Sequence, residues 1–207
     1  MWILFVIAAV VGYLLGNLNG AVITSKLNHD DVRNHGSGNA GLTNFIRNYG
    51  AAKALLVIVL DAGKALLSCL IGALLLKNRG MWTEGAIIGG AGAMLGHAFP
   101  VFLGFRGGKG ILSAFFIALF VDWRVALIAL AIFAIAYLPT GLVSLGSVLG
   151  ATTYSVCFVL FHLEQPVVMI CGGVMGVLAI YLHKQNIVRL IQGKERKTNL
   201  FKKDKAE

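Results

Sequence analysis

Long, nearly uncharged apolar runs divide this chain and exclude most folds of water-soluble proteins. Residues 2–25, 51–76 and 84–104 each supply the roughly 20 apolar residues that a transmembrane helix needs. The chain is 57% hydrophobic and only 13% charged, about half the charged fraction usual in globular domains. Because helices satisfy their own backbone hydrogen bonds in lipid, we predict an all-α integral membrane protein.

The apolar runs that follow are shorter. Residues 111–121 and 125–138 fall below the roughly 17 residues that a span needs, which predicts short or tilted helices, or a re-entrant pair. Pro139, Thr140 and Gly141 are predicted to form the next turn. Two further runs, residues 142–160 and 167–182, complete a predicted set of about seven transmembrane helices.

Basic residues predict the orientation of these helices. With seven helices and an outer N-terminus, 14 of the 18 Lys and Arg residues lie on the cytoplasmic side and three in outer loops. This asymmetry follows the positive-inside rule, so we predict an outer N-terminus and a cytoplasmic C-terminus. A net charge of +9 then indicates contact with an anionic bilayer surface and not with nucleic acid. The predicted domain is residues 1–196, followed by a basic cytoplasmic tail, residues 197–207.

A glycine-rich basic stretch, GHAFPVFLGFRGGKG at residues 96–110, follows the third apolar run. Gly107, Gly108 and Gly110 permit a sharp backbone turn with exposed N–H groups. With Lys109 and Arg106 beside them, such N–H groups form a binding site for phosphate. A basic hairpin satisfied by water and lipid headgroups is the alternative interpretation.

Two more polar segments fall on the same predicted side. GSGNAGLTN at residues 36–44, followed by Arg47, offers hydroxyl, amide and guanidinium groups to a polyol phosphate, or forms a simple Asn/Gly turn. HKQNIVRLIQGKE at residues 183–195 places polar and basic residues three apart on a continuing helix, or forms a basic helix end. Three polar segments on one face favour a shared site.

Asp61 and Lys64 stand three residues apart inside an apolar run, where unpaired charge is costly and usually marks a site. They pair with each other or support the polar pocket. The three cysteines lie in apolar runs without metal-binding spacing, so we predict buried thiols, no metal and no cofactor.

The three segments and the Asp61–Lys64 pair resemble the signature blocks of the bacterial acyl-phosphate:glycerol-3-phosphate acyltransferases of the PlsY type. The family pattern is close to GSGNxGATN, GHxxPxFxxFxGGKG and HRxNIxRLxxGxE, with D-x-x-K-G in the second helix. This chain departs from it at Leu42, Ala65 and Lys184, and keeps only Ser144 and Leu145 of a serine-rich family segment.

The resemblance implies a seven-helix enzyme that transfers an acyl group from acyl phosphate to the sn-1 hydroxyl of glycerol 3-phosphate. Lysophosphatidic acid and phosphate are the expected products, without a covalent acyl-enzyme, a metal or a cofactor. The expected location is the inner (plasma) membrane of a bacterial cell, with the site on the cytoplasmic side. Contact with the enzyme that produces acyl phosphate is a further expectation.

Matching positions give the predicted site residues. The catalytic set is Lys109, Ser37, Arg47 and His97, with His97 either a base or a tie between helix and loop. The substrate- and phosphate-binding set is Gly36, Asn39, Thr43, Asn44, Arg106, Gly107, Gly108, Gly110, His183, Asn186, Arg189 and Glu195. An anion transporter and a non-catalytic membrane scaffold are the rival interpretations.

Overall fold

The structure, a computed structural model, describes residues 2–198, which form ten α-helices and no strand. The helices are α1 (Trp2–Gly16), α2 (Gly20–Leu27), α3 (Leu42–Tyr49), α4 (Ala51–Leu76), α5 (Trp82–Ala98), α6 (Ile111–Val121), α7 (Trp123–Thr140), α8 (Val143–Phe161), α9 (Pro166–Leu182) and α10 (Lys184–Ile191). The predicted all-α class is confirmed.

Within residues 2–198, five helical units are long and apolar enough to cross a membrane: Trp2–Leu27, Ala51–Arg79, Trp82–Leu103, Trp123–Thr140 and Val143–Phe161. A sixth forms if α9 and α10, which meet at a 56° bend, count as one broken span. The apolar helix α6 is shorter, at 11 residues. The predicted seven spans would require α6 to cross as well.

Three predicted boundaries differ from the structure. The first apolar run is broken between α1 and α2, where Asn17 and Asn19 are buried by protein. Helix α7 has 18 residues because Asp122 caps its start and Pro139 lies inside its last turn. The turn therefore falls at Gly141, whose φ of +69° glycine adopts without strain. The last apolar helix ends at Leu182, and the chain bends at His183 before α10.

Glycines set the closest helix contacts. Helix α5 packs between α1 and α4, with Gly85 and Gly89 against α4 and Gly92 and Gly96 against α1. A Cβ added at Gly89 would stand 2.2 Å from the carbonyl oxygen of Ser68 on α4, and one at Gly96 would stand 2.1 Å from that of Tyr13 on α1. Only glycine permits backbones to approach this closely.

The chain returns to the bundle just before the described residues end. The Thr198 N–H donates to the Gly141 carbonyl at 2.9 Å, and the Tyr137 hydroxyl donates to the Thr198 carbonyl at 3.0 Å. Thr198 of the predicted tail therefore contacts the helical body. The rest of that tail, residues 199–207, lies outside the described residues.

Candidate active site

The three polar segments predicted from the sequence meet around one cavity of about 950 Å³. The predicted site residues that line it are Gly36, Ser37, Asn39, Thr43, Asn44, Arg47, His97, Lys109, Gly110, His183, Asn186, Arg189 and Glu195. Its charged lining comprises five basic and two acidic residues, Arg47, Lys109, Lys184, Arg189 and Arg196 with Asp61 and Glu195. The polar part of the cavity therefore favours anions.

Asn44 organises the first segment. Its amide donates to the carbonyl oxygens of Val32, His35 and Asn39, each at 3.1 Å, and its Oδ1 accepts the Ser37 N–H at 3.0 Å. These bonds hold the loop in a curve before α3. The Asn44 side chain is thus engaged with the loop backbone, although Asn44 was predicted to hold substrate.

Arg47 extends from α3 to the C-terminal segment. Its Nε donates to Thr198 Oγ1 at 2.6 Å and its Nη2 donates to the Arg196 carbonyl at 3.1 Å. Burial lowers the pKa of Arg47, an effect that nearby Glu195 opposes. The guanidinium is positioned at the cavity wall by residues about 150 positions away in the chain.

The glycine loop owes its shape to close packing more than to unusual backbone angles. Gly110 alone among Gly107, Gly108 and Gly110 has a positive φ, +76°. A Cβ at Gly107 would stand 2.0 Å from the His97 carbonyl oxygen, and one at Gly108 would stand 2.2 Å from His97 Nε2. The expectation that all three glycines serve to turn the backbone is therefore corrected.

Lys109 lies directly before the N-terminus of α6. Gly110 caps this helix without a side-chain hydrogen bond, so N–H groups of the first turn remain available, and Ile111 and Leu112 line the cavity. Burial, with nearby Arg189, lowers the pKa of Lys109 to about 8. The ammonium and the positive end of the helix dipole together favour a phosphate at this position.

The third segment supplies a connected polar wall. Lys109 Nζ donates to Asn186 Oδ1, and Asn186 Nδ2 donates to Glu195 Oε1 at 3.0 Å. Arg189 Nε donates to the other Glu195 oxygen at 2.8 Å. Burial opposes ionisation of Glu195, but the bonds from Arg189 and Asn186 dominate and lower its pKa. Glu195 thus orients the donors and partly neutralises their charge.

His183 stands at the bend between α9 and α10. Its Nδ1 lies 2.8 Å from the Ala179 carbonyl oxygen, which can only accept, so Nδ1 carries the hydrogen. In the neutral ring Nε2 is then left as an acceptor. Since His183 lines the cavity, that nitrogen suits a substrate hydroxyl.

Three predicted residues do not line the cavity. Arg106 is exposed on the loop between α5 and α6, away from the lining, and Gly107 and Gly108 pack against His97.

Asp61 and Lys64 were predicted either to pair with each other or to support the polar pocket, and the structure shows both. The two side chains pair at 2.7 Å. Lys64 Nζ also lies 2.8 Å from Nδ1 of His97, which lines the cavity.

Several lining residues escaped the sequence analysis. Ser147 lines the cavity together with Ser144, in the segment where the family pattern is weakest. The apolar wall includes Phe115, Phe116, Ala129, Leu130 and Phe133 from α6 and α7. These side chains carry no motif, since any apolar residue in a membrane helix has the same appearance in the sequence.

A helical bundle with a cavity that joins basic donors to an apolar wall defines a multi-pass membrane protein suited to amphipathic anions. Residues 6–193 match the family described as glycerol-3-phosphate acyltransferase. The chain belongs to this family.

Individual relatives support the assignment. The chain is 40% identical over 193 residues to the glycerol-3-phosphate acyltransferase of Thermoanaerobacter sp. (strain X514), covering 93% of this chain and 94% of that protein. It is 35% identical to the one of Finegoldia magna, covering 95% and 97%.

A solved structure is similar along nearly the whole chain. It is described as PlsY, an integral membrane glycerol 3-phosphate acyltransferase, in the glycerol 3-phosphate form. The TM-score is 0.83 and the identity is 32%, over 96% of this chain and 99% of that one. The lysophosphatidic acid form of PlsY gives a TM-score of 0.79 at 31% identity. The resemblance noted in the sequence is confirmed.

Proposed function

We propose that this chain transfers an acyl group from acyl phosphate to the sn-1 hydroxyl of glycerol 3-phosphate. The products are lysophosphatidic acid and inorganic phosphate. The observation that carries the proposal is one cavity that combines a basic, hydrogen-bonding end with an aromatic apolar wall. Family membership, and the glycerol 3-phosphate and lysophosphatidic acid forms of the similar structure, support the acceptor and the product.

The polar end suits two phosphate groups. Lys109 and the α6 N-terminus offer charge and backbone donors at one position, while Arg47 and Arg189 supply guanidinium groups nearby. Such preorganised donors hold two anions together against their mutual repulsion and stabilise developing negative charge. Ser37 and Asn39, on the same cavity wall, offer hydrogen bonds to the polyol.

The apolar wall suits the acyl chain. Phe115 and Phe116 on α6 face the same cavity as Leu130 and Phe133 on α7. Because lipid tails are about as apolar as these side chains, an acyl chain moves from the bilayer to this wall without a hydrophobic penalty. The acyl chain then lies along this wall with its carbonyl group toward the basic end of the cavity.

The transfer requires no protein nucleophile. The sn-1 oxygen attacks the acyl carbonyl carbon, the bond from that carbon to the phosphate oxygen breaks, and the hydroxyl proton leaves with the phosphate. His183 Nε2 accepts the hydroxyl hydrogen bond and aligns the attacking oxygen. Acyl phosphate is already activated, so orientation and charge stabilisation are the principal contributions of the protein.

Orientation and location complete the proposal. We place seven spans, including α6 and the broken α9–α10 unit, in a bacterial plasma (inner) membrane, with the N-terminus outside and the C-terminus in the cytoplasm. The site then opens to cytoplasmic glycerol 3-phosphate, and to acyl phosphate delivered by contact with the enzyme that produces it. The excess of basic residues near the polar segments supports this orientation.

Single cysteines test the orientation. In a background without Cys69, Cys157 and Cys171, exposed positions 28, 106 and 192 should react only with a reagent that reaches the inner face. Exposed positions 79 and 164 should react from outside. Labelling of the first group by an impermeant outside reagent would reverse the topology.

A two-substrate assay tests the reaction. Purified protein in detergent should release phosphate and form lysophosphatidic acid only when acyl phosphate and glycerol 3-phosphate are both present. Counter-flow of glycerol 3-phosphate in sealed vesicles without product would instead identify a transporter. If neither turnover nor transport is detected, the non-catalytic scaffold is the remaining interpretation and the proposal is overturned.

A further inference from the structure

A buried charged cluster lies beside the cavity, formed by Asp61 and Lys64 on α4 and His97 at the end of α5. Their exposed fractions are 1%, 5% and 4%. Lys64 Nζ lies 2.7 Å from Asp61 Oδ1 and 2.8 Å from His97 Nδ1. Because an ammonium only donates, His97 Nδ1 accepts, and the hydrogen of the neutral ring is fixed on Nε2.

The cluster also holds the break between α1 and α2. Lys64 Nζ donates to the carbonyl oxygens of Gly16 at 3.3 Å and Leu18 at 2.9 Å. Asp61 Oδ1 accepts the Gly20 N–H at 3.1 Å. The three ammonium hydrogens of Lys64 are therefore engaged by Asp61, His97 and these backbone carbonyl groups. Lys64 has no hydrogen-bond donor left for a substrate.

His97 connects the cluster to the glycine loop. Its carbonyl accepts the Gly108 N–H at 3.0 Å. A Cβ at Gly108 would stand 2.2 Å from His97 Nε2 and 2.8 Å from the Ala40 carbonyl oxygen. The Gly108 backbone is therefore confined between the imidazole and the first polar segment, directly before Lys109.

We propose that Asp61, Lys64 and His97 form a positioning unit that sets where Lys109 stands relative to the first polar segment, residues 36–44. The unit acts through the Gly108 backbone and not by contact with substrate. This inference rests on the proposed function, since the consequence of positioning is measured through the acyl transfer. In this account His97 is a positioning residue and not a base.

The expected loss of rate follows from how sensitive catalysis is to the position of a catalytic group. A displacement of about 1 Å at a catalytic group costs on the order of 100-fold in rate. Loss of the Lys64 donor frees the His97 ring to rotate and relaxes the Gly108 contact. We therefore expect kcat for glycerol 3-phosphate to fall about 100-fold, with a smaller change in KM, because Arg47 and Arg189 still bind phosphate.

Three variants separate positioning from stability. Lys64→Met leaves Asp61 buried without its partner and should lower both thermal stability and kcat. Asp61→Asn combined with Lys64→Met removes both charges, and the new amide oxygen can still accept the Gly20 N–H. With the amide oxygen in the place of Asp61 Oδ1, the atom 3.6 Å from His97 Nδ1 can only accept, so it does not replace the Lys64 donor. Gly63→Ala is the matched control on α4, because a Cβ there meets no atom within 4 Å.

The measurements are the melting temperature, kcat and KM in detergent, and calorimetric binding of glycerol 3-phosphate. The double variant should regain most of the melting temperature and bind glycerol 3-phosphate within about fivefold of the parent, while kcat stays about 100-fold low. Recovery of kcat together with stability would reduce the cluster to a structural role and overturn the proposal. A parent and Gly63→Ala protein that bind glycerol 3-phosphate but form no product would refute the proposed function instead.

Discussion

Raising the pH above 8 should inactivate the protein, because Lys109 in the substrate-free protein then loses its proton and its positive charge. Burial and nearby Arg189 lower the pKa of this lysine to about 8, so the group that is proposed to hold phosphate titrates within an accessible range. An uncharged amine gives up the charge-assisted bond to the substrate phosphate. The pH profile therefore reports on this side chain directly.

The magnitude follows from the pKa. Two pH units above 8, about 1% of Lys109 remains charged, so kcat/KM for glycerol 3-phosphate should fall about 100-fold by pH 10, equivalent to about 2.7 kcal/mol. Bound phosphate stabilises the charged form and raises the pKa of Lys109. The fall in kcat should therefore begin at a higher pH than the fall in kcat/KM.

Stability should change in the opposite direction. Between pH 8 and 10.5 the unfolded chain keeps the Lys109 proton that the folded protein has released, so the free energy of unfolding rises with pH. Below pH 8 the buried charge costs up to about 3 kcal/mol of stability. Lys109→Met should accordingly be at least as stable as the parent at pH 7, although nearly inactive.

Initial rates of lysophosphatidic acid formation between pH 6.5 and 10 provide the test, corrected for spontaneous hydrolysis of acyl phosphate. Lys109→Arg is the matched variant, since a guanidinium stays charged across this range. Its rate should be lower, because the wider group fits the tight loop poorly, but without the fall above pH 8. The same fall in Lys109→Arg, or a parent rate that stays flat to pH 10, would refute the assignment.

Three further outcomes are expected. Gly108→Ala should lose most activity, about 100-fold, because its Cβ meets His97 and Ala40, whereas turnover within threefold of the parent would show that the loop tolerates the shift. Gly72→Ala should lower the melting temperature by about 5–10 °C, since its Cβ would stand 2.1 Å from the Gly85 carbonyl oxygen; an unchanged melting temperature contradicts this packing. Replacing all three cysteines by Ala should preserve activity, and an acyl adduct that survives denaturation would exclude direct transfer.

The sequence by itself determined the class of protein and the residues of the polar segments. Apolar runs of sufficient length must become helices in lipid, because only a helix satisfies its backbone groups locally. The residue types at 36–44, 96–110 and 183–195 carry their chemistry in the side chains, so a candidate phosphate site could be proposed from the sequence. The predicted topology placed these three segments on one side of the membrane, and the structure brings them together around one cavity.

Tertiary structure alone decided what each residue contacts. Arg47 is held by Thr198, 151 positions away, and His97 by Lys64, 33 positions away. Arg106 has the same charge as Lys109 and lies three residues from it, yet it stays exposed while Lys109 reaches the cavity. These outcomes depend on how closely helices approach and where they bend, which are properties of packing between distant segments and leave no local pattern in the chain.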